Sequence, residues 1–214
     1  MRKRNVVHAL LERAGDGYAA QAGIELADKP APLFQLLVLA ELLSTRISAD
    51  IAVAAAKELI STGYRTPQRV ADAQWQELVD ALGRAHYKRY DESTATRLGA
   101  NAGLVLDKYG GDLRELAEAA GHDRKRAARL LQEFQGIGPT GSDIFLREVQ
   151  AVWPWARPYF DERASKGAER LELPTGADEL AELVPEDRVA PFAAALVRAA
   201  LDEDFAEQVR ADAR

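Results

Sequence analysis

Seven residues, Gln135 to Gly141, read Q-G-I-G-P-T-G and place three glycines and a proline between two stretches of helical pattern. Gly136 and Gly138 permit backbone angles and close approaches that side chains resist. Ile137 between them can plug a core, and Pro139 suits the first position of a following helix. The N–H groups at such a helix start lack partners in their own helix and point outward together. They form a small positive cup with the chemistry to hold a phosphate. Gly141 and Ser142 fall in that helix start. A second group with chemical potential is Asp161, 23 positions after Gly138, at the head of another helical pattern and behind the apolar pair Tyr159–Phe160. A carboxylate there can cap the helix. It can also stabilise a developing positive charge or activate a water, if a reacting centre lies beside it.

The surroundings of the glycine stretch give it a direction. The segment HDRKRAAR lies immediately upstream and carries Arg124, Lys125, Arg126 and Arg129, which could flank a bound strand or form a solvated helix face. The pattern of helix, glycine turn and helix is that of a helix-hairpin-helix, which holds a nucleic-acid backbone without reading its sequence. The alternative is a plain glycine turn between packed helices.

The elements that must position these groups are helical. The chain has 214 residues, enough for one domain or two small ones with a real core. Alanine and leucine are abundant and strand-like runs rare, so an all-α fold is expected. The pattern predicts helices over 5–14, 33–44, 48–61, 67–82, 91–108, 112–121, 123–134 and 142–153 (SDIFLREVQAVW, entered at Pro139), then a helix from Asp161 and segments near 176–184 and 191–212. Asp112 and Ser48 are N-cap candidates.

Composition narrows the function further. With no cysteine there is no disulfide, thiolate nucleophile, Cys-based zinc site or cysteine-bound iron–sulfur cluster. Residues 175–214 hold ten Asp and Glu against four Arg, which accounts for the whole net charge of −6 and leaves a neutral body able to carry a local basic face. His8, His86 and His122 are isolated and show no metal-ligand spacing, so no metal is expected. The apolar run PLFQLLVLAELL contains Gln35 and Glu41 and is too short to span a bilayer, and no signal peptide is evident. A cytoplasmic protein without a membrane partner is expected.

Together these segments resemble the helix-hairpin-helix (HhH-GPD) DNA glycosylases of the endonuclease III superfamily. The resemblance runs from PLFQLLVLAELLSTRISADIAVAAAKEL through LVDALGRAHYKRYDESTATRL and LLQEFQGIGPTGSDIFLREV to YFDERASKGAERLELP, roughly residues 31–174. It implies an all-helical fold of two lobes: residues 31–150 as a six-helix lobe carrying the hairpin over about 123–150, and 1–30 with 151–214 as a second lobe carrying Asp161. It implies a monomer bound to double-stranded DNA containing a lesion, mismatch or modified base, with the target base flipped out. It makes Asp161 the catalytic carboxylate. It puts Arg46 where a side chain enters the gap left by the flipped base, the alternative being an exposed or ion-paired arginine. It puts Tyr87, Lys88 and Arg89 in a second DNA-facing loop, where Tyr87 or Tyr90 could stack on bases. Gly136, Gly138, Gly141, Ser142 and Lys125 complete the DNA contacts, and the hairpin leaves room for a monovalent cation.

Three features depart from the superfamily. Thr140 stands where bifunctional members carry a lysine, so no Schiff base can form there and a monofunctional glycosylase without lyase activity is implied. The iron–sulfur loop is missing, and Leu180, Leu183, Phe192, Leu196 and Val197 must hold the C-terminal lobe by packing. The spacing from hairpin to Asp161 is a few residues long, with the excess in AVWPWARP. A DNA-binding protein without catalysis, recognising distorted DNA, fits the same residues, and the acidic tail also fits a helical interaction protein.

Overall fold

The structure, a computed structural model, describes residues 2–214. Its helices are α1 (Arg2–Ala14), α2 (Tyr18–Gln21), α3 (Pro30–Leu43), α4 (Ala49–Thr62), α5 (Pro67–Ala71), α6 (Trp75–Arg84) and α7 (Asp91–Tyr109). They continue with α8 (Arg114–Ala119), α9 (Arg124–Leu131), α10 (Pro139–Val149), α11 (Glu162–Arg170), α12 (Ala177–Ala181), α13 (Val189–Leu201) and α14 (Glu203–Asp212). No strand occurs among the described residues, so the fold is all-α as the composition predicts. None of the described helices is long and apolar enough to cross a membrane.

The chain divides into two compact units, Ala19–Leu146 and the pair of segments Met1–Tyr18 and Arg147–Arg214, so that the second division falls inside α10. In the first unit, α3 is apolar around most of its circumference. Leu33, Phe34, Leu36, Leu37, Leu39 and Leu42 are all buried, the signature of a central helix. Helix α4 packs on it, and α7 packs on α5 and α6. The predicted cap Ser48 accepts a hydrogen bond from the Ile51 N–H at the start of α4.

In the second unit α1, α11, α13 and α14 enclose a core of Val6, Val7, Leu10, Leu171, Leu180, Phe192, Leu196, Val197 and Val209, with Leu183 packed against it. That is the apolar packing expected in place of an iron–sulfur loop. Helix α11 lies so close to α13 that a Cβ at Gly167 would overlap the Leu196 carbonyl, which makes Gly167 the contact point of the two backbones.

Two expected helices are broken. The run 67–82 is two helices, because Gln74 starts α6 afresh: its N–H donates to the Glu77 carboxylate at 3.0 Å, half of a capping box. The run 191–212 is also two, because Asp202 leaves the helical region (φ −125°, ψ 109°) and accepts from the Phe205 N–H at 2.9 Å. Asp112 sits one residue before the N-cap of α8, Leu113, and binds Arg114 through both its backbone and its side chain.

Candidate nucleic-acid interface

The hairpin joins α9 to α10. Asp123 caps α9 by accepting from the Arg126 N–H at 2.8 Å, so the basic residues begin at the first turn of that helix. Arg124, Lys125, Arg126 and Arg129 are all exposed. At the turn, Gly136 adopts φ +82°, the left-handed region that favours glycine. Ile137 is buried beneath it and donates its N–H to the Phe134 carbonyl at 3.1 Å. The first backbone bond of α10 runs from the Ser142 N–H to the Gly138 carbonyl at 3.0 Å. Pro139 has no N–H, so the donors that precede this bond are those of Thr140 and Gly141, in the first turn where a helix has no partner for them.

The three glycines of the hairpin have different reasons. Gly136 is required by its φ. Gly141 is required by packing, since a Cβ there would stand 2.6 Å from Ser44 Oγ and 3.2 Å from Ile137 Cγ2. Gly138 has neither reason: its φ lies outside the left-handed region, and a Cβ there would meet nothing within 4 Å. Its open side is free for something outside the protein.

Asp161 is the N-cap of α11, its Oδ1 accepting from the Ala164 N–H at 2.8 Å. Its Oδ2 accepts from Arg147 Nη1. Both side chains are almost wholly buried, at 4% and 2% exposure. Arg147 Nε has no hydrogen-bond partner, so the guanidinium depends heavily on this one carboxylate. The geometry thus gives Asp161 two internal partners, one for each oxygen.

No protein-family model matches the sequence, and no curated protein matches it. Solved structures do. One is an endonuclease III in a non-covalent complex with DNA (TM-score 0.53, 16% identity, 92% of this chain and 84% of that one covered). Another is a trapped endonuclease III–DNA covalent intermediate, an estranged-adenine complex (TM-score 0.51, 15% identity, with the same coverage). This chain has the endonuclease III-like HhH-GPD fold.

Within that fold the other expected site residues separate. Arg46 is exposed in the turn between α3 and α4. Lys88 and Arg89 are exposed in the turn after α6, with the Arg89 guanidinium 5.2 Å from the Tyr90 ring centroid. Tyr87, by contrast, is fully buried and cannot stack on a base. The reason is a Schellman motif that ends α6. His86 takes the left-handed conformation (φ 61°) usually given to glycine, its N–H donates to the Gly83 carbonyl at 3.0 Å, and the Tyr87 N–H donates to the Leu82 carbonyl at 3.0 Å. The residue after such a turn folds back onto the helix, and Tyr87 does so.

Ser142 also turns inward. It is buried, donates its hydroxyl to the Pro139 carbonyl and accepts from Gln132 Nε2 at 3.1 Å, and its N–H is spent on Gly138, so it has no group left for DNA. Gly141 is buried by the same packing and can offer only its backbone N–H. Trp153 is buried and stacks on Trp155 with ring centroids 5.0 Å apart.

The fold family's iron–sulfur cluster does not fit this chain, which has no thiolate to bind it. Among the described residues no three His, Asp or Glu side chains converge as metal ligands. Sequence reasoning missed Arg147, Glu41, Arg97 and Asn101. The available signal was a charged residue within an apolar helix, as Glu41 is in PLFQLLVLAELL. Such a residue must find a buried partner.

Proposed function

We propose that this chain grips duplex DNA carrying a lesion, mismatch or modified base through Gly136–Gly141. We further propose that it hydrolyses the N-glycosidic bond of the flipped base as a monofunctional glycosylase, acting as a monomer. The observation that carries the DNA grip is Gly138, a glycine at a helix start with no internal need to be one. A backbone phosphate approaching the Thr140 and Gly141 N–H groups would use its open side. The two similar structures are endonuclease III–DNA complexes, which supports DNA as the partner.

The chemistry is assigned to Asp161. Cutting a base from deoxyribose develops positive charge on the sugar, and a carboxylate held in a water-poor site stabilises that charge or orients the attacking water. Thr140 offers a hydroxyl and no amine, so the route runs through water and not through a covalent enzyme–sugar intermediate. One observation favours a second reading, DNA binding without base removal. Both Asp161 oxygens are occupied within the protein, and Arg147 offsets the charge that would stabilise the sugar.

Gly138→Asp tests the grip. Aspartate is at least as good an N-cap as glycine, so the melting temperature should hold or rise slightly. Its carboxylate would stand in the path of the phosphate. Binding to a duplex with an abasic-site analogue should be salt-sensitive in the wild type and fall by about tenfold or more in the variant. Equal affinity in both proteins removes the hairpin from the binding surface. A base-release assay over damaged, mismatched and modified duplexes then separates the two readings. Release that disappears when Asp161→Asn and Arg147→Met are combined supports the glycosylase. Release that survives removes Asp161 from the mechanism, and binding without release on any duplex establishes the second reading.

A further inference from the structure

The hairpin rests on a buried polar cluster contributed by α3 and α7. Asn101 pins the residue before Gly136 with two bonds: the Gln135 N–H donates to Asn101 Oδ1 at 2.8 Å, and Asn101 Nδ2 donates to the Gln135 carbonyl at 2.9 Å. The same Nδ2 donates to Glu41 Oε2 at 3.0 Å, and Arg97 Nε donates to Glu41 Oε1 at 3.1 Å. Gly136 lies directly on this pair, since a Cβ there would come within 3.0 Å of Arg97 Nε and 3.2 Å of Glu41 Cγ. On its far side Arg97 Nη2 donates to Thr94 Oγ1 at 2.9 Å, and Thr94 donates to the Tyr87 hydroxyl at 3.3 Å. One run of hydrogen bonds therefore ties the hairpin to the turn that carries Lys88 and Arg89.

We infer that Glu41 and Asn101 are positioning residues of the hairpin, and that the hairpin's hold on a DNA phosphate is linked to a proton on Glu41. This rests on the DNA-binding reading above. An ionised Glu41 accepts from both Arg97 and Asn101. Protonation turns one of those acceptor oxygens into a hydroxyl, a weaker acceptor, so the support under Gln135 and Gly136 differs between the two forms. The ionised form also places a negative charge under the turn that receives the phosphate, and the neutral form does not. Phosphate binding therefore favours proton uptake, and affinity falls as pH rises through the range where Glu41 ionises.

That range is near neutrality: burial pushes the Glu41 carboxyl up to about 7, against the opposing effects of Arg97 and Asn101. Arg97 on α7 is the one charged group acting on it among the described residues. The hairpin presents only Gln135 and Gly136, which do not titrate.

The test measures binding of the wild type and Glu41→Gln to the abasic-analogue duplex from pH 5.5 to 8.5 at fixed ionic strength. Wild-type affinity should fall by about tenfold across the range, the effect of one pK unit of coupling between Glu41 and the phosphate. Glu41→Gln should be flat. Equal slopes, with Gly138→Asp still weakening binding, overturn this inference and leave the DNA-binding reading standing. A wild type that does not bind, whatever stands at 138, sinks the DNA-binding reading. A second arm then decides the positioning role without DNA or any variant. The amide resonances of Gln135 and Gly136 should titrate together with a midpoint near 7 in the free wild-type protein. Amides that stay fixed through that range overturn the role of Glu41.

Discussion

Replacing Asp161 with asparagine should destabilise the protein strongly, by a mechanism separate from any loss of activity. Asparagine keeps a side-chain oxygen for the Ala164 N–H, so the cap of α11 survives. What disappears is the charge opposite Arg147, a guanidinium with 2% exposure whose Nε already has no partner. Removing one member of a buried ion pair costs about 3–5 kcal/mol, because the remaining charge is left without compensation. For a chain of this size each kcal/mol lowers the melting temperature by about 2–4 °C, so the drop should be about 6–20 °C. Asp161→Ala should cost about 1 kcal/mol more through loss of the cap. Combining Asp161→Asn with Arg147→Met removes both buried charges and should recover most of the loss, since apolar replacement of a whole buried pair is often near neutral. Urea denaturation of the wild type and the three variants measures this directly. A cost below about 1 kcal/mol for Asp161→Asn, or a double variant no more stable than the single, refutes the claim that the pair is buried and mutually dependent.

Glu41 should make stability fall with rising pH. Its carboxyl ionises near 7 when folded against about 4.5 for the ordinary group. The folded state therefore holds a proton between those values that the unfolded chain has released. The stability from that proton is complete below about pH 4.5 and lost as pH rises through 7, a difference of about 3 kcal/mol. Unfolding free energies from urea melts at pH 4.5 and 7.5 should differ by that much more in the wild type than in Glu41→Gln. Gly167→Ala should cost about 3 kcal/mol or more, because the methyl meets the Leu196 carbonyl and not a yielding side chain. A thermal melt within 2 °C of wild type would show that α11 and α13 can move apart easily.

Much of the fold was legible because helix ends and apolar periods are local signals. Ser48 and Asp161 each cap the helix that follows them, as the sequence predicts for short polar residues at a helix start. The breaks at Gln74 and Asp202 were hidden because the apolar spacing continues across them, and only the capping bonds reveal the new start. Tyr87 was misread for a related reason. A Schellman turn usually announces itself by glycine, and here histidine holds the left-handed position, so the sequence resembles an exposed aromatic loop. The site was less legible than the fold. Glu41 finds its partners 56 and 60 residues away, at Arg97 and Asn101, and nothing local marks those positions. Arg147 and Asp161 are 14 residues apart, and no local pattern announces that they pair.

The residues left over after the fold has been explained point most directly to function. Gly136 answers to backbone conformation, Gly141 to Ser44, and Gly167 to α13. Tyr87, Ser142 and Glu41 answer to interior hydrogen bonds. Gly138 answers to nothing inside the protein, and the exposed Arg46, Lys88 and Lys125 form no ion pair among the described residues. A chain with excess acid still keeps these cations unneutralised, on the turn after α3, the turn after α6 and the helix before the hairpin. All of them lie in the unit that also holds the start of α10. An open glycine, free N–H groups and unpaired cations in one unit are complementary to an extended anion, and duplex DNA supplies that as a regular row of phosphates. Asp161 does not belong to this set, because the protein itself accounts for both its oxygens. The case for DNA binding therefore rests on residues the fold does not need, while the case for base removal rests on a residue the fold does need.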